Sequence, residues 1–151
     1  MEHGEKAAEL FVSGYNCAQA VAVAFCDLTG LNEDQASKMV SPFGGGFGRQ
    51  REVCGAISGM SFVLGTLYGY DRPNPEKQLA LYADLQELCR RFREKTGSII
   101  CRQILNDPPS DPAPTPRTAE YYAQRPCARM VMLAADLLDE YIQAHPLTTN
   151  E

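Results

Sequence analysis

The chain has 151 residues, 44% hydrophobic and 22% charged, which is enough to bury one core and too little for a second independent domain. Fourteen Lys and Arg against 19 Asp and Glu give a net charge of −5 with no long basic run, so no nucleic-acid partner is expected. No window approaches the roughly 18 uninterrupted apolar residues of a membrane helix, and the start at Met1-Glu2-His3-Gly4-Glu5-Lys6 lacks a basic n-region and a cleavage site; a cytoplasmic protein without membrane contact is the expectation.

Taken in chain order, Ala7, Phe11, Gly14, Ala18, Val21 and Phe25 recur at helical spacing, with a kink or interruption expected at Gly14-Tyr15-Asn16. Asn32, with Gln35 three residues on, opens a short helix that must stop near Pro42. A glycine-rich stretch, Gly44 to Gly48, follows. Ile57, Met60, Leu64 and Leu67 form a second stripe. Asn74 and Pro75 then cap and start a helix whose core face is Leu81, Leu85, Leu88 and Phe92, closed by Thr96-Gly97. Ser98 can cap a short helix containing Cys101. Five prolines between Pro108 and Pro116 define a Pro-rich surface loop at 107–117. The last helix begins around Pro126 and buries a wide face that includes Met130, Leu133, Leu137 and Tyr141. No segment alternates with strand period. The expectation is therefore all-α: an irregular bundle of about five to six helices, no sheet, and a single helical domain over 1–151.

Six cysteines in a reducing compartment point to metal binding or redox chemistry ahead of structural disulfides, against the competing reading of cysteine as a small buried hydrophobe. None forms a C-x-x-C pair. Cys89 lies between Leu85 and Phe92 on an apolar face and reads as core. Cys54 follows the glycines and opens a helix near Arg49 and Arg51; Cys127 follows Pro126 between Arg125 and Arg129. Helix N-termini and arginines stabilise thiolates, so both are expected to titrate below an ordinary cysteine. Gly55 and Gly59, near Cys54, leave room for a cofactor or for another helix. The run Gly44 to Gly48 lacks the Lys-Ser/Thr of a P-loop, and His3 and His145 sit at the chain ends, which removes support for a nucleotide site, a histidine base or a Cys/His metal site.

The segments Gly14-Tyr15-Asn16-Cys17-Ala18-Gln19-Ala20-Val21, Phe43-Gly44-Gly45-Gly46-Phe47-Gly48 and Cys54-Gly55-Ala56-Ile57-Ser58-Gly59, in that order, resemble the four-cysteine redox protein family with a C-G-A-x-x-G motif (C_GCAxxG_C_C). Cys101-Arg102-Gln103-Ile104-Leu105 and Pro126-Cys127 look like its third and fourth cysteine sites. The resemblance implies that Cys17, Cys54, Cys101 and Cys127 form one site, as candidate metal ligands, and leaves Cys26 and Cys89 outside it. Three functions follow as expectations. The first is a small redox-active or electron-transfer accessory protein whose four thiolates hold a [2Fe–2S] cluster, with an oxidoreductase or other electron-transfer protein as partner. The second is a metal-free thiol/disulfide protein. The third is a structural or adaptor bundle in which the four cysteines bind zinc. Homo-oligomerisation stays open, and no catalytic residue is assigned.

Overall fold

Residues 2–147 are described by a computed structural model. Helix α1 (His3–Val12) buries Ala7 and Phe11 and runs out at Gly14, whose φ of +121° suits only a residue without a β-carbon. The chain re-enters helix at once as α2 (Cys17–Ala24), because Asn16 and Gln19 form a reciprocal capping box. A further one-turn helix, α3 (Cys26–Thr29), ends on left-handed Gly30. The first hydrophobic stripe is thus cut into three helices.

Asn32 caps α4 (Glu33–Val40) by accepting from the Asp34 and Gln35 amides, and Pro42 falls in the 3-10 turn, Ser41–Phe43, that follows. The next helical turn, Gly44–Phe47, is wound left-handed: Gly45, Gly46, Phe47, Gly48 and Arg49 all have φ between +63° and +75°. Glycine carries this at little cost, whereas Phe47 and Arg49 are strained in it.

Beyond the glycines, α5 (Gly55–Tyr68) buries Ile57, Met60 and Leu64. Helix α6 (Pro75–Thr96) starts with Asn74 accepting from the Lys77 amide and stops at left-handed Gly97, but only Leu88, Cys89 and Phe92 are buried; its first turns project into solvent, with Leu79 73% exposed. Then come α7 (Cys101–Ile104), α8 (Ala119–Gln124) and α9 (Cys127–Ala144). Among the described residues this makes nine right-handed helices, more than the expected five to six, because three of them are pieces of one or two turns with no long apolar stripe to announce them.

Helix α2 is buried on nearly every side, from Ala18 through Phe25, and packs against α1, α4, α5 and α9. Its alanines allow close approach: a β-carbon on Gly59 of α5 would lie 2.7 Å from the Ala18 carbonyl oxygen and 2.9 Å from Val21 Cβ. Among the described residues there is no sheet; one isolated antiparallel bridge joins Val53 to Ile100. No described helix is long and apolar enough to cross a membrane.

Candidate thiol site

Four cysteines occupy nearly the same position in four different helices. Cys17, Cys101 and Cys127 are the first residues of α2, α7 and α9, and Cys54 is the N-cap of α5. The four N-termini meet, and all four cysteines line one cavity of about 310 Å³. Cys17 is half-buried, the other three are buried, and all six cysteines of the chain are free.

The cavity is assembled by backbone contacts that need glycine. The Cys54 N–H donates to the Ile99 carbonyl (2.7 Å) and the Cys101 N–H to the Glu52 carbonyl (2.6 Å), so the bridge at Val53 and Ile100 ties the start of α5 to the start of α7. A β-carbon on Gly46 would stand 2.6 Å from Cys101 Cβ, and one on Gly55 would stand 3.0 Å from Cys17 Cβ. The left-handed turn therefore lies directly against Cys101, and α5 directly against Cys17.

Arginines make up the charged wall. Arg49, Arg51, Arg117 and Arg125 all line the cavity, and no Asp, Glu or Lys does. Arg51 is only 4% exposed. Its Nε donates to the Pro109 carbonyl (2.9 Å) and its Nη1 to Cys101 Sγ (3.6 Å). Arg49 holds the proline-rich arm through the Asp111 carbonyl (2.9 Å) and Thr115 Oγ1 (3.3 Å). Arg117 donates to the carbonyls of Phe11 (2.7 Å) and Tyr15 (3.0 Å) and lies 4.4 Å over the Phe11 ring, while Arg125 stands 5.0 Å over Tyr121.

The thiols respond differently to this surrounding. Cys127 is lowered to about 7, first by the Cys17 thiol acting as proton donor toward its sulfur and then by Arg125, Arg117 and Arg51, against a penalty from burial. Cys17 is pushed well above an ordinary thiol, first by the same interaction with Cys127 and then by burial. The two thiols titrate as one interacting pair. Cys54 is raised to about 12 because burial outweighs the amides of Ala56 and Ile57 that face its sulfur. Cys101 is raised too, by burial, with Arg51 opposing. The expectation of a low pKa thus holds at Cys127 and fails at Cys54, where the helix end is too deeply desolvated to keep a charge.

Of the other residues singled out in the sequence, Gly55 lines the cavity, while Gly59 lies in the α2–α5 contact and is absent from the lining. Cys26 and Cys89 are buried away from the cavity, Cys89 in the main core beside Leu88 and Phe92. The stretch 107–117 contains no helix or strand, yet through Pro112, Pro114, Thr115 and Arg117 it forms one side of the cavity. That role, and those of Arg51 and Arg117, carry no local sequence signal, since each depends on a contact across more than 45 positions. Among the described residues no set of three or more His, Cys, Asp and Glu side chains is grouped as a metal-ion site. Cys17, Cys54 and Cys101 are each held toward the neutral thiol, so a metal bound by these residues would release their protons.

A family model described as "Putative redox-active protein (C_GCAxxG_C_C)" matches residues 15–141. No curated protein matches, and no solved structure does.

Proposed function

The chain belongs to the C_GCAxxG_C_C family of redox-active proteins, and from that membership we propose that it works as a thiol–disulfide protein whose redox pair is Cys17 and Cys127. The observation that carries this reading is that Cys17 and Cys127 open two helices onto one cavity lined by Arg51, Arg117 and Arg125, and these arginines favour the Cys127 thiolate. A thiolate is the attacking species in disulfide exchange, and one whose pKa lies near ambient pH is the most effective.

In the reductive direction, the Cys127 thiolate attacks one sulfur of a disulfide R–S–S–R, whose S–S bond breaks to leave a Cys127–S–S–R mixed disulfide and an R–S⁻ that takes up a proton. Cys17 then loses its proton and attacks Cys127 Sγ, releasing the second R–S⁻. The substrate has gained two electrons, and the protein holds a Cys17–Cys127 disulfide. Arg125, Arg117 and Arg51 stabilise the Cys127 thiolate before the first step. By this reading the partner that restores the dithiol is an oxidoreductase or another dithiol reductant.

A redox titration in thiol/disulfide buffers, followed by thiol counting, tests the assignment. One two-electron couple is expected in the wild type and in the Cys26→Ser and Cys89→Ser variants, and none in Cys17→Ser or Cys127→Ser. A couple that survives Cys17→Ser but disappears in Cys54→Ser or Cys101→Ser would refute the pairing.

The second reading, a [2Fe–2S] centre on Cys17, Cys54, Cys101 and Cys127, is favoured by one observation, that all four share a cavity. It needs three further thiols to deprotonate and close around iron. Iron analysis and visible absorption of anaerobically purified protein separate the two readings.

A further inference from the structure

Apart from the cysteines, every ionisable side chain with a full charge that lines the cavity is cationic. Four arginines line it, and among the described residues none of them pairs with a carboxylate. Glu52, the acidic residue nearest in sequence, turns outward to Arg102 at 3.0 Å. Arg51 is the sharpest case. A buried guanidinium ordinarily comes with a carboxylate. Here its polar contacts are a carbonyl and a sulfur, and the cavity lies beside it. Three helices of eight residues or more, α2, α5 and α9, also present their positive ends to the same space. A volume of about 310 Å³ is of the size that takes a small molecule.

From this geometry we infer that the cavity selects a low-molecular-weight disulfide bearing negative charge, such as a carboxylated one, and seats its anionic end on Arg51 and Arg125 with a sulfur toward Cys127. The substrate class rests on the dithiol reading above; the preference for an anion stands on the arginines alone. Arg117 and Arg49 are committed to oxygens of the chain and shape the wall; Arg51 holds the Pro109 carbonyl through Nε and the Cys101 sulfur through Nη1, and its Nη2 makes no hydrogen bond among the described residues. Arg125, held only by the Tyr121 ring among the described residues, is the cation best placed to turn to a ligand.

Three disulfides of similar length test this on the reduced full chain: dithiodiglycolate (anionic), bis(2-hydroxyethyl) disulfide (neutral) and cystamine (cationic). A thiolate free in solution reacts fastest with the cationic reagent and slowest with the anionic one, because it is itself negative. The protein is expected to invert that order, oxidising with dithiodiglycolate on the order of tenfold faster than with cystamine. Arg125→Gln is expected to lower the anionic-to-neutral rate ratio, a readout that a general change in Cys127 reactivity does not move. In a second arm, adipate, the sulfur-free counterpart of dithiodiglycolate, should protect Cys127 saturably from iodoacetamide, while 1,6-hexanediamine should not. Oxidation in the order cationic, neutral, anionic overturns the anion preference and leaves the dithiol pair standing. No Cys17–Cys127 disulfide with any reagent, together with protection by adipate, overturns the substrate class and the dithiol reading and keeps the anion site. Equal protection by adipate and hexanediamine overturns the anion site.

Discussion

The Cys127 pKa is lowered by its neighbours. The Cys17 thiol contributes first and the arginines after it, so removing the donor should matter more than removing any one cation. Alkylation rate against pH should give a midpoint near 7 for Cys127 in the reduced protein, moving toward the ordinary thiol value of 9 in Cys17→Ala; an unmoved midpoint would mean that Cys17 does not hold the thiolate. The same shift has a consequence for stability. Between about 7 and 9 the unfolded chain binds more protons at Cys127 than the folded one, so this contribution is complete above about 9 and is lost as pH falls through about 7. Comparing the unfolding midpoints of the reduced wild type and Cys127→Ala from about pH 6 to pH 9 should show the wild type gaining with pH, and a constant difference would contradict the assignment. Cys54 behaves oppositely. Its thiol is held neutral to about 12, so it should resist alkylation at neutral pH in the folded protein, and its contribution to stability should fall away as pH rises from 9 toward 12.

The elements matter because each places one residue. A cysteine at the start of a helix has its sulfur beside unpaired amides, and repeating that in α2, α5, α7 and α9 gathers four sulfurs without any short C-x-x-C motif. This was legible at Cys54 and Cys127, where glycines and proline mark the helix starts, and at Cys17 and Cys101 only through resemblance to a family. The helix count was less legible. The interruption expected at Gly14-Tyr15-Asn16 is present, but the spacing from Ala7 to Phe25 does not show the further break at Phe25, and α8 has no buried residue to reveal it. Gly59 belongs to this scale as well. Because its missing β-carbon lets α5 approach α2 at Ala18, Gly59→Ala should cost about 1–3 kcal/mol in urea unfolding while leaving Cys127 reactive at neutral pH. Loss of the reactive thiolate without loss of stability would instead place Gly59 at the site.

At the scale of the whole molecule, the cavity is closed by parts that are remote in sequence. The proline-rich arm is held by Arg49 and Arg51 through carbonyls at Asp111 and Pro109, and Arg117 returns to Phe11 and Tyr15. Composition reads those prolines correctly as a segment without helix or strand, but nothing local reveals that the segment walls a site or that Arg51 is buried beside a cysteine. Those facts emerge only when the arm and the start of α7 meet the glycine-rich turn. Of the four cysteines brought together in this way, Cys17 and Cys127 form the proposed redox pair, and this assignment can be measured. Its most direct measurement is peptide mapping by mass spectrometry after treating the reduced protein with one equivalent of a disulfide oxidant and trapping the remaining thiols. A single crosslink joining the Cys17 and Cys127 peptides is expected, with Cys54, Cys101, Cys26 and Cys89 recovered as alkylated thiols. A crosslink between Cys54 and Cys101, with Cys17 and Cys127 recovered alkylated, would contradict it.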